Sequence, residues 1–199
     1  MKYIITEDQL EKIKDSILKI PFSSFNDNWD VLQKFLNKRG NPLYILKGDV
    51  NLAGNKKITT LGNLISVEGN LHLEKTSIQS LENLTSVGGN LNLYGTPIKS
   101  LGNLKSVGGS IYMVYSDIET LGNLTSVGGE LRLELSKVKS LGDLTTVGGS
   151  LFLQDSNVES LGKLTYVGGV LSARNTWISQ RYTEKAIKDY VDVGYGIYL

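Results

Sequence analysis

The chain has 199 residues, 40% hydrophobic and 21% charged, with 21 Lys+Arg against 20 Asp+Glu for a formal charge of +1, the composition of one globular domain or one repeat array rather than a disordered chain. That balance offers no electrostatic basis for binding nucleic acid or an acidic membrane surface. There are no cysteines, which excludes disulfides and thiolate metal sites. No stretch approaches the roughly 20 apolar residues of a membrane-spanning helix. Glu7 and Asp8 come too early for a secretory signal, so a cytoplasmic location is expected, with neither membrane nor nucleic acid as partner.

In chain order, residues 1–42 read as a helical N-terminal cap. Leu10, Ile13, Ile17 and Ile20 mark one face of a first helix, with Thr6 and Gln9 as its capping box and Pro21 as its stop. A second helix is predicted from about Asp27, with Trp29, Leu32 and Leu36 on one stripe, ending at Gly40 before Pro42. Residues 43–178 read as a repeat solenoid of about six coils. Leu61, Leu81, Leu101, Leu121, Leu141 and Leu161 recur every 20 residues, and so do the series starting at Leu64, Val67, Gly69, Leu71, Leu73 and Ile78. The array opens with a half coil near Leu43, and its first full coil carries one extra residue around Lys56. Residues 179–199 read as a C-terminal helix carrying Tyr182, Ala186, Ile187, Tyr190 and Val191, followed by a Gly-rich tail. Both flanks are expected to cover open sheet edges.

The spacing within one repeat has a physical meaning. Leu91-x-Leu93 alternates with period two, a strand with one face buried. The Ile98, Leu101, Leu104, Val107 run has period three, too tight for a helical stripe at 3.6 and suited to an extended or 3₁₀-like return path. The Gly pair is read as backbone freedom at the bend into the strand. Strands of successive coils then stack in parallel, about 4.8 Å apart. A second column, Thr76, Thr96, Ser116, Ser136, Ser156 and Thr176, falls just past each strand, where a short hydroxyl can satisfy backbone groups that lose their ladder partners. Ser66, Ser86, Ser106, Ser126 and Thr146 admit the same reading or that of solvated turn residues.

The unit Leu91-x-Leu93-x-x-Thr96-x-Ile98-x-x-Leu101-x-x-Leu104 resembles the leucine-rich repeat, L-x-L-x-x-N-x-L, with Thr or Ser in the place of Asn. The Ser-Val-Gly-Gly before each strand is similar to the repeats of receptor L domains. Those domains are extracellular and usually disulfide-bonded, whereas this chain has no cysteine. The resemblance covers Leu43 to Ile178 and implies leucine-rich-repeat-like parallel β coils acting as a binding scaffold through the concave strand face.

With Leu91 and Leu93 inward, Asn92 and Tyr94 face outward. The outward positions vary from coil to coil. Asn92, Tyr94, Tyr112, Val114, Tyr115, Arg132, Glu134, Phe152 and Gln154 form the candidate partner-binding set, rich in residue types of interface hot spots. Cross-strand stabilisation of the sheet is the competing reading of the same residues. No enzyme is expected. His72 is the only histidine, and it reads as solvated. Glu130 and Glu134 flank Arg132, which neutralises them rather than leaving a carboxylate pair for hydrolysis. The Gly-Gly turns lack the Lys-Ser/Thr of a phosphate loop. No cofactor or metal is implied. The functions in competition are a protein-binding scaffold, a structural subunit assembling through its caps and the Tyr195–Leu199 tail, and a carbohydrate-binding module.

Overall fold

The computed structural model describes residues 17–199. It is a parallel β-solenoid built from two sheets that meet at a corner. The entry sheet has nine strands: Leu18–Pro21, Tyr44–Lys47, Leu64–Val67, Ser86–Val87, Ser106–Val107, Ser126–Val127, Thr146–Val147, Tyr166–Val167 and Asp192–Val193. The exit sheet has eight: Val50–Asn51, Leu71–His72, Leu91–Asn92, Ile111–Tyr112, Leu131–Arg132, Leu151–Phe152, Leu171–Ser172 and Ile197–Tyr198. Within each repeat the chain runs along the entry strand, turns through the Gly pair, and leaves along the exit strand. Successive inner coils align residue for residue, as in Val127↔Val147 and Leu131↔Leu151, whereas Tyr44–Lys47 pairs with Leu64–Val67 across a register shift at Tyr44/Ile45.

The inward columns are buried as the repeat spacing predicts. Leu81, Leu84, Leu91, Leu93, Ile98 and Leu101 are fully excluded from solvent, and the same positions line one continuous core through every inner coil. The hydroxyl column also behaves as read. Thr76, Thr96, Ser116, Ser156 and Thr176 are buried and donate to the carbonyls of Leu73, Leu93, Met113, Leu153 and Ala173 at 2.5–2.8 Å. Ser136 is the exception, its buried hydroxyl having no partner.

Four expectations are corrected. The Ser-Val segments are neither solvated turns nor a 3₁₀-like stretch of the return path; they are extended and form the entry sheet. The Gly pair does not act through φ, since none of Gly88, Gly89, Gly108, Gly109, Gly128 or Gly129 has the positive φ found at Gly102, Gly122 and Gly142. The pair is needed for close approach: a Cβ on Gly88, Gly108, Gly128, Gly148 or Gly168 would overlap the carbonyl oxygen of the residue one coil earlier. Only backbone fits where two coils turn the corner in contact. A polar ladder closes the same corner. The amide of Asn90 donates to the Asn70 side chain, that of Ser110 to Asn90, and that of Glu130 to Ser110.

The third and fourth corrections concern the ends. Most of the first expected helix lies outside the described residues, but its last part is a strand: Leu18–Pro21 pairs with Tyr44–Lys47, Ile20 opposite Leu46. Pro21 is tolerated because, among the described residues, this is an edge strand with no neighbour on its far side. The second expected helix is present as Trp29–Asn37, with the Asn28 side chain accepting from the Val31 amide and Trp29, Leu32 and Leu36 buried. At the other end the expected single helix is two short ones, Trp177–Arg181 and Glu184–Lys188. Thr183 caps the second through the Ala186 amide, so the helix stops and restarts at Tyr182. The Gly-rich tail is a last coil: Asp192–Val193 pairs with Tyr166–Val167 and Ile197–Tyr198 with Leu171–Ser172. Strands therefore lie on both sides of the 43–178 segment.

Candidate functional site

The outward positions of the exit sheet build the candidate surface. Strand pairing sets His72, Asn92, Tyr112, Arg132, Phe152 and Ser172 side by side in one column. The first five are half-buried by their neighbours, and Ser172 is buried. The second predicted column, Tyr94, Val114, Glu134 and Gln154, does not sit in strands. Each of these residues lies in the turn just after its exit strand, where the Asn92 side chain accepts from the Tyr94 amide at 3.1 Å.

Arg132 is the polar centre. Its Nε lies 3.1 Å from Glu130 Oε2, its guanidinium nitrogen 3.5 Å from Glu134 Oε1, and its guanidinium 4.6 Å from the Phe152 ring centroid. Two carboxylates and one aromatic face thus share a single cation, which holds all four side chains in place. His72 Nδ1 stands 3.8 Å from Glu74 Oε2, so it is half-buried beside a carboxylate rather than simply solvated. Among the described residues, no group of three or more His, Asp or Glu side chains is placed to hold a metal ion, and no helix is long and apolar enough to cross a membrane.

The aromatic centre is Tyr94 with Tyr115, whose rings meet edge to face at 5.7 Å. Tyr115 is 62% exposed and has φ +57°. It belongs to a third column, at the turn position of left-handed backbone, occupied by Lys75, Gly95, Tyr115, Leu135, Asp155 and Asn175. Gly, Asp and Asn suit that conformation; a bulky side chain there carries a cost of roughly 1–2 kcal/mol. Leu135, 48% exposed at φ +60°, pays the same penalty next to Tyr115 and was not among the predicted site residues. The signal that locates it is the residue type at the left-handed position, which the alternation of strand residues does not reveal.

A second surface feature was also missed. A shallow groove of about 730 Å³ runs along the entry sheet over Ser66, Ser86, Ser106, Ser126 and Thr146, ending at Tyr166. Its floor is hydroxyls and corner glycines, and Ser66 and Ser86 share a hydrogen bond of 2.8 Å. The Ser column is therefore a half-buried outward face of a sheet.

No family model matches the chain, and no curated protein or solved structure shows a significant match to it.

Proposed function

We propose that the protein is a leucine-rich-repeat-like binding scaffold of the cytoplasm, without catalytic activity, that presents the outward face of the exit sheet to a protein partner, with the helix Trp29–Asn37 serving as its N-terminal cap. The observation that carries this reading is the placement of Tyr115 and Leu135. Both are bulky, exposed and held in left-handed backbone at neighbouring coils, a conformation that carries a cost for such side chains while much of their apolar surface stays in solvent. Beside them lie Tyr94, Tyr112, Arg132 and Phe152, the residue types that anchor protein interfaces, on a frame whose inward positions barely change from coil to coil. Cross-strand pairing accounts for Tyr112 against Arg132 and for Arg132 against Phe152, but it gives no reason for a Tyr and a Leu at turn positions that suit Gly or Asn.

The test is capture from the native lysate with wild-type chain and with a Tyr94/Tyr112/Phe152→Ser variant of confirmed fold. The proposal expects a protein retained by the wild type and lost by the variant. Equal recovery by both overturns the assignment of the face, and a glycan-array signal in place of a protein turns the reading toward carbohydrate.

A further inference from the structure

The two ends of the solenoid differ. At the N-terminal end the helix Trp29–Asn37 takes the place of an exit strand in the first coil, and its start shares a cleft with Asn51, Leu52 and Ala53 beside the first exit strand. At the C-terminal end Asp192–Val193 and Ile197–Tyr198 are the outermost strands of both sheets, and among the described residues nothing pairs with their outer edges. Unpaired edges recruit strands. These two lie on either side of one corner, Gly194–Gly196, and the chain runs toward that corner in one strand and away from it in the other.

That arrangement selects its occupant. A straight extended peptide can add to one edge only, because the edges belong to different sheets, and a peptide serving both must bend at the corner as the chain's own coils do. A two-fold axis lying in the end face and passing through the corner does more. It lays the entry edge of one copy along the exit edge of the other, antiparallel, and satisfies all four edges at once. Head-to-tail stacking lacks this match, because among the described residues the N-terminal end offers an entry edge, Leu18–Pro21, but a helix where the exit edge would be. We infer that the C-terminal end face is a self-association surface, taking the same face of a second copy of this chain in an isologous dimer.

The side chains at the corner agree. Tyr195 pairs where the inner coils carry the second Gly, and its amide bond to Gly169 O is 3.2 Å against 2.9 Å for Gly169 to Gly149. Tyr195 is 85% exposed; elsewhere on the last coil Tyr190, ahead of the entry strand, is 82% exposed and Tyr198 half-exposed. Tyrosine supplies apolar area and a hydroxyl in one group. A net charge of +1 per copy leaves little repulsion between two of them.

The test uses the full chain. Light scattering up to about 0.1 mM, the range of a weak but specific dimer, is expected to give twice the chain mass of 21.8 kDa. A Tyr190→Lys/Tyr195→Lys variant is expected to return to the chain mass and, melted at concentrations where the wild type is also monomeric, to keep the wild-type unfolding midpoint, whereas Tyr115→Lys leaves the dimer intact. Because the chain has no cysteine, Gly196→Cys reports the geometry; the Cβ it adds meets only the Tyr198 ring, at 3.7 Å. With oxidised glutathione it is expected to form a disulfide with its own copy, while Leu43→Cys does not. A wild-type monomer throughout, a dimer that survives both lysines, or a mixed Leu43→Cys–Gly196→Cys product each overturns the inference. A dimer lost with Tyr115→Lys would move the contact to the exit-sheet face.

Discussion

Replacing Gly128 by Ala tests how the corner is built. A Cβ there would overlap the Gly108 carbonyl oxygen and lie 2.9 Å from its carbon, whereas ordinary contact begins at 3.4 Å. The two coils must therefore separate by about half an ångström or more. Gly128 N→Val107 O and Gly129 N→Gly109 O, now 2.8 and 2.9 Å, would stretch toward the limit of useful hydrogen bonds. Two weakened ladder bonds at roughly 0.5–1.5 kcal/mol each, with overpacking of roughly 1–3 kcal/mol, give a cost of about 2–6 kcal/mol. Gly142→Ala is the control. Gly142 has φ +59° and open space around its α-carbon, so only the left-handed backbone is penalised, at about 1 kcal/mol. Urea unfolding of the two variants beside wild type measures both. If Gly142→Ala costs as much as Gly128→Ala, close approach between coils is not what the Gly pair provides.

Other consequences are as direct. Ser116→Ala and Ser156→Ala each lose a buried bond to a carbonyl and are expected to cost about 1 kcal/mol, whereas Ser136→Ala removes an unpartnered hydroxyl and is expected to be neutral or stabilising in the same melts. Tyr44 is buried, which pushes its phenol above the ordinary range; its hydroxyl donates to Leu61 O at 2.8 Å and accepts from Gln33 Nε2 at 3.2 Å. Tyr44→Phe should cost about 1–2 kcal/mol by leaving that carbonyl unpaired, and a thermal midpoint unchanged from wild type would contradict this. Bonds from the Asn70 amide and side chain hold the Asp49 carboxyl below its usual range. A depressed folded value means its contribution is complete above about pH 4 and fades as the pH falls through the folded value. The stability gap between wild type and Asp49→Ala should thus narrow from pH 6 toward pH 2; a gap that widens would reverse the sign.

The inner coils were legible because their spacing admits one reading. Leu91 and Leu93 alternate, the Thr96 column needs a carbonyl to serve, and 20 residues separate equivalent positions. The entry sheet was not, because strands as short as Ser86–Val87 carry no periodicity of their own, and a Gly pair reads as a turn whether it bends the chain or lets two chains touch. Tertiary pairing overrode local pattern at both ends. Ile20 and Pro21 suit a helix stop until Tyr44–Lys47 offers an edge, and Val193 to Ile197 repeats Val167 to Leu171 after 26 residues instead of 20, the two short helices accounting for the difference. In the candidate site, the column from Asn92 to Phe152 followed from alternation. The parity argument failed one step later, because the chain leaves the strand at Leu93 and turns, so Tyr115 and Leu135 owe their exposure to left-handed backbone that no alternation predicts.

The most direct test of the functional reading is a Tyr115→Asn/Leu135→Asn variant, assayed together for stability by urea unfolding and for retention of the partner captured by the wild-type chain. Asn suits left-handed backbone, as Asn175 does two coils on. If these two side chains are displayed for binding, the variant keeps or gains stability and loses at least tenfold in affinity, about 1.4 kcal/mol. A variant that is destabilised while holding its partner as tightly as wild type would show that Tyr115 and Leu135 serve the fold, and the exit-sheet face would lose its claim.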